Sequence, residues 1–131
     1  MKKTFIVVQF NKEGYHQFPG AINPEFATND EYDVSHLALR HMHYFYFRVW
    51  IEVSHNDRQI EFIQFRRWLE SLFDTKTLEL NNKSCEMISD DLFEKISDRY
   101  PGVEIRIEVL EDNINGSYVE YPVDMSNPIM D

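Results

Sequence analysis

The clearest opening for chemistry in the sequence is His41-Met42-His43. An i, i+2 pair on a strand puts both imidazoles on one face, with Cα atoms about 6.6 Å apart. Two ring nitrogens can then converge on one ion at about 2.0–2.1 Å each. Neutral imidazole suits zinc, iron or nickel, so the ligand type alone does not name the metal. The pair opens an apolar face instead of interrupting one, since positions 45, 47, 49, 51 and 53 read Phe, Phe, Val, Ile and Val. His16 and His36 precede it and compete for a third ligand position. An aromatic strand also tolerates histidine as a half-buried hydrogen-bonding residue. With Cys85 the sole cysteine, however, no multi-cysteine site competes for a metal.

Glu111 is the second candidate. Counting by twos, 103, 105, 107 and 109 are Val, Ile, Ile and Val, so a carboxylate ends a core-facing row. Held in a pocket, it can accept two hydrogen bonds from an amidine-like edge. If the strand bends first, it is solvated beside Asp112. The remaining reactive types read more plainly. His55, in Ser-His-Asn-Asp-Arg, is a turn residue, Cys85 packs on an apolar helix stripe, and Arg66-Arg67 is a solvated helix face. There is no Gly-rich phosphate loop, no G-x-S-x-G elbow and no H-E-x-x-H helix.

The elements that must position these groups follow from periodicity. Thr4 to Phe10 is rich in β-branched and aromatic residues and predicts a strand. Asn11 to Arg40 has no sustained period and predicts a long irregular loop carrying His16 and His36. His41 to Val53 alternates throughout and predicts the dominant strand. Phe65, Trp68, Leu69 and Leu72 form one stripe of a helix over about Ile63 to Phe73. Cys85, Ile88, Leu92 and Ile96 do the same for a helix over about Cys85 to Arg99, with Ser84 as N-cap and Pro101-Gly102 as its stop. Val103 to Leu110 and Ser117 to Val123 predict a closing hairpin around Asn113 to Gly116. The order is ββααββ, an α+β fold with a four-stranded antiparallel sheet and two helices on one face.

The 131 residues predict one domain over 1–124, with a frayed tail at 125–131. Nineteen aromatic residues supply a core that a disordered chain lacks. The net charge of −10 argues against a nucleic-acid partner, and no apolar run approaches the length of about 20 residues that spans a bilayer. A cytoplasmic protein is the expectation. Twelve of the 23 acidic groups, and only three of the 13 basic ones, fall in residues 84–131. The half carrying the histidine pair is thus nearly neutral.

Together these pieces resemble the tetrahydropterin synthase family, 6-pyruvoyltetrahydropterin synthase and its bacterial relative 6-carboxytetrahydropterin synthase, over most of the chain. Phe10 with Gly14-Tyr15-His16 is similar to the family's early phenylalanine and histidine, and His41-Met42-His43 to its His-Gly-His. Glu61-Phe62 resembles its Asp-Phe, Lys83-Ser84-Cys85-Glu86 its Pro-Thr-x-Glu, and Val109-Leu110-Glu111-Asp112 its Val-x-Glu-Thr. The resemblance implies the tunnelling fold, with sheets joined into an oligomeric barrel, a trimer or hexamer. It implies Zn²⁺ held by His16, His41 and His43, and a pterin- or purine-like ligand anchored by Glu111 with help from Ser84. The activity implied is a lyase step in pterin or deazapurine (queuosine-type) biosynthesis.

Two departures stand out. Residues 17–40 hold no cysteine to serve as the family's general base, and Leu78-Glu79-Leu80 replaces its Leu-Asp-His. His36 and Asp33 are the candidates left for a base. The alternative is an oligomer of the same fold that binds metal and ligand without synthase activity.

Overall fold

A computed structural model describes residues 2–73 and 76–123. The tail 125–131 lies outside the described residues. Five strands form one sheet in the order β3-β1-β2-β4-β5, where β1 is Thr4–His16, β2 His41–Val53, β3 Leu78–Glu79, β4 Ile105–Glu111 and β5 Asn115–Tyr121. Only β3 is parallel to its neighbour. The sheet therefore has one strand more than the four expected. The extra one is two residues long, too short to carry a readable period.

The larger correction concerns β1. It does not stop at Phe10 but continues as Asn-Lys-Glu-Gly-Tyr-His to pair with the whole of β2, His16 lying opposite His41. The polar segment has poor strand propensity, but β2 offers it thirteen residues of ladder, and pairing overrides propensity. Gly14 sits opposite His43, where a Cβ would meet Leu80 Cδ1 at 3.0 Å and the Phe45 ring at 3.2 Å. His16 thus belongs to a strand, not to a loop.

Helices α1 (Phe62–Ser71) and α2 (Cys85–Arg99) pack on one face of the sheet. The Glu61 carboxylate caps α1 by accepting from the Ile63 and Gln64 amides at 3.1 and 3.0 Å. Ser84 caps α2 by accepting from the Met87 amide at 3.2 Å. Phe65 and Leu69 from α1, and Cys85, Ile88, Leu92 and Ile96 from α2, are buried as their spacing requires. They close over Val8, Phe10, Phe45, Phe47, Val49, Ile51, Ile105, Ile107 and Val109. At roughly 1.5–3 kcal/mol per fully buried large apolar side chain, this layer dominates folding. The β4–β5 turn uses Asp112 and Asn113 at φ 54° and 59°, a left-handed pair suited to a tight hairpin. No helix among the described residues is long and apolar enough to cross a membrane.

Candidate metal centre

The core face of the sheet runs out at one end, and polar side chains replace the apolar rows there. Phe45 lies between β1 and Glu111 of β4, and one pleat further along β2 stands His43. With His16 opposite His41, three imidazoles from two adjacent strands share this face. Their ring centroids are 4.6 Å (His16–His41), 4.9 Å (His41–His43) and 5.5 Å (His16–His43) apart. One ring nitrogen from each lies within 4.8 Å of the other two.

The other nitrogen of each ring is committed to an oxygen. His16 Nδ1 bonds the Lys83 carbonyl at 2.9 Å, His41 Nδ1 the Leu39 carbonyl at 2.7 Å, and His43 Nδ1 the Asp112 carboxylate at 2.6 Å. A carbonyl only accepts, so Nδ1 of His16 and His41 must carry the hydrogen, and the ionised Asp112 makes the same demand of His43. In the neutral rings, Nε2 is then left with its lone pair. Outer hydrogen bonds of this kind fix the tautomer and orientation of metal-binding histidines. The Nε2 atoms of His16 and His43 are buried, and in this tautomer neither has a donor to bond.

Each support is placed by its own element. Residues 80–83 run beside the end of β1, with Leu80 N bonded to Tyr15 O at 2.8 Å and Gln17 N to Asn81 O at 2.9 Å, which delivers the Lys83 carbonyl. A 3-10 turn, Ser35–Ala38, ends just before Leu39, whose carbonyl holds His41. Asp112, in the hairpin turn, accepts from the Tyr44 amide at 3.0 Å while it holds His43. That amide, foremost, and then His43 keep the Asp112 carboxyl below its usual range.

Glu111 faces the cluster and is half-buried. Its Oε2 is 2.9 Å from His16 Nε2 and its Oε1 3.7 Å from His43 Nε2. This carboxylate raises the pKa of His16 above its ordinary value, against the lowering effect of burial. Reciprocally, His16 above all holds Glu111 below the carboxylate range, against its own desolvation.

A cleft of about 320 Å³ opens beside the cluster, lined by His16, His41 and Glu111 on one side and Phe18, Ser84 and Cys85 on the other. Burial foremost, with the charges of Glu111 and Glu86, pushes the Cys85 thiol up to about 12. Cys85 is a packing residue, as its stripe position predicts.

The two candidate bases are elsewhere. His36 is exposed on the Ser35–Ala38 turn, outside the histidine group and the cleft lining. Asp33 spends its carboxylate within its own loop, accepting from Ser35 Oγ at 2.6 Å, Ser35 N at 2.8 Å and Asn29 N at 2.7 Å. The Ser35 hydroxyl, first, and then those amides lower its pKa. Asp112 is the residue that sequence reasoning missed. The turn-forming pair Asp112-Asn113 was the available signal. No family model matches the chain, and no curated protein is significantly similar to it.

Proposed function

We propose that the chain is a zinc-binding protein of the tetrahydropterin synthase type, with His16, His41 and His43 as the metal ligands and a pterin- or purine-like ligand in the adjoining cleft. One observation carries the reading: three imidazoles have Nδ1 hydrogens bound to fixed oxygens and Nε2 atoms directed into shared space. A satisfied core histidine would use both nitrogens on protein. Two here bury an Nε2 that faces only the Glu111 carboxylate, 2.9 Å from His16 and 3.7 Å from His43, an acceptor that a neutral ring's lone pair cannot pair with unless a cation stands between. A Zn²⁺ held there would act as a Lewis acid on an oxygen of the bound ligand. Around it, His16, His41 and His43 fix position, Asp112 steadies His43, and Ser84 retains a hydroxyl hydrogen to donate into the cleft while its oxygen caps α2. The resemblance assigns Glu111 to the ligand's amino-pyrimidine edge.

The tunnelling fold and its barrel belong to the same proposal. The sheet face turned away from the helices exposes Val7, Met42, Tyr44 and Tyr118, and the sheet's edge strands remain open. Sheet edges of this kind are normally covered or paired. A trimer or hexamer of this chain would do both.

A second reading, binding without turnover, is favoured by the fate of the bases. Asp33 is consumed by its loop, His36 is outside the cleft, and the Cys85 thiol stays protonated near neutral pH. Incubating zinc-loaded protein with dihydroneopterin triphosphate separates the two. A tetrahydropterin product supports the synthase, and pterin binding without product supports the binder. Neither binding nor product overturns the pterin assignment altogether.

A further inference from the structure

We propose that Glu111 is a fourth donor to the metal, making the centre a three-histidine, one-carboxylate site, and this rests on the metal reading above. The carboxylate enters from the side of His16 and His43, with one oxygen directed to each. His16 Nε2 and Glu111 Oε2 lie 2.9 Å apart, and with the Nδ1 hydrogen given to the Lys83 carbonyl two acceptors face each other there unless a cation stands between them. His16 is 7% exposed, so no solvent stands in for the missing partner. A divalent ion bound by both atoms would be that cation. Donors bound about 2.0–2.2 Å from one ion, at angles of about 90–110°, lie about 2.9–3.4 Å from each other.

The position in the sheet reinforces this. Glu111 is opposite Phe45, one pleat from His43, and Phe45 seals the centre from the core beneath. A lone carboxylate turned toward a half-buried imidazole cluster is costly unless positive charge meets it. A divalent ion would supply that charge and bring each buried Nε2 a partner.

The consequence is chemical. A carboxylate cancels one of the ion's two charges and adds a hard oxygen to three borderline nitrogens, widening the accepted metals from zinc towards iron and manganese. It also removes Glu111 from the amidine edge of an organic ligand. Orientation in the cleft then falls to the amide groups that line it, Gln17, Asn82 and Asn115. With four protein donors the ion takes a ligand oxygen only by expanding to five donors or by release of Glu111.

Cobalt(II) titration of the metal-free full-length protein tests this, since its visible bands report the donor set and chelator competition reports affinity. Wild type, Glu111→Gln and His41→Ala are compared, with circular dichroism confirming that each is folded. The proposal expects Glu111→Gln to bind at least about 10-fold more weakly, because even residues behind the ligands are worth about 10–100-fold, and to show altered bands. Unchanged bands, at whatever affinity, would mean that Glu111 does not coordinate, and would overturn it while leaving the three histidines in place. If wild type binds Co²⁺ no more tightly than His41→Ala, the metal reading fails as well.

Discussion

The two ends of the sheet both carry charge, and they treat it in opposite ways. At the end remote from the histidines, the Glu104 carboxylate is nearly buried and wholly matched: Lys3 Nζ meets one oxygen at 2.6 Å and Arg106 Nε the other at 2.7 Å. The Glu104 amide in turn donates to Glu52 at 3.1 Å. At the histidine end the outer atoms are equally well matched, through Lys83, Leu39 and Asp112, while the inner Nε2 atoms of His16 and His43 meet only the Glu111 carboxylate, at 2.9 and 3.7 Å. A cluster built only for stability satisfies its polar atoms within the protein. On the proposed metal reading, the contrast separates a structural ion cluster from a site built to take an ion.

Substitution of any one of His16, His41 or His43 by Ala should weaken zinc binding by more than about 100-fold, since each removes a ligand and not merely a support. Equilibrium dialysis measures this, and equal binding by all three variants and wild type would erase the distinction between the ends. Asp112→Ala should cost about 10–100-fold, because His43 loses the acceptor that fixes its tautomer. Asp112→Asn keeps an acceptor oxygen and should recover part of that loss. In thermal melts, zinc at 100 times its dissociation constant should stabilise wild type by about 2.7 kcal/mol and leave His41→Ala unmoved.

The remote end should answer differently. Glu104→Gln should lower stability by about 1–2 kcal/mol, as lost charge-assisted hydrogen bonds do, and leave zinc affinity unchanged. Lys3 foremost and then Arg106 hold the Glu104 carboxyl below its ordinary value of 4.5. Its contribution is therefore complete above that pH and fades as the pH falls through the depressed value, so wild type and Glu104→Gln should converge in acid denaturation series. The smallest expected effect belongs to His36→Ala, which should leave zinc affinity within about 2-fold of wild type if only groups reaching the cluster matter.

Strict alternation made much of this legible in the sequence. His41 and His43 lead an unbroken apolar row, and Glu111 ends another, so their common face could be counted off by twos. The helical stripes and the Ser84 cap were equally local, and they hold. What stayed hidden was non-local. Residues 11–16 carry no pattern of their own and are extended because β2 is long enough to pair with them. That pairing brings His16, and not His36, beside His41 and His43, a choice that spacing left open. Leu78–Glu79 is a strand only because β1 lies beside it. Asp112 reaches His43 through a left-handed turn, a geometry invisible to periodicity.

The central claim is that the inner nitrogens at the histidine end exist to bind a metal. The most direct measurement is the zinc content of purified protein after dialysis against Zn²⁺ and gel filtration, with His41→Ala carried in parallel. The account predicts one zinc per chain in wild type and essentially none in the variant. Wild type retaining no more zinc than His41→Ala would contradict it.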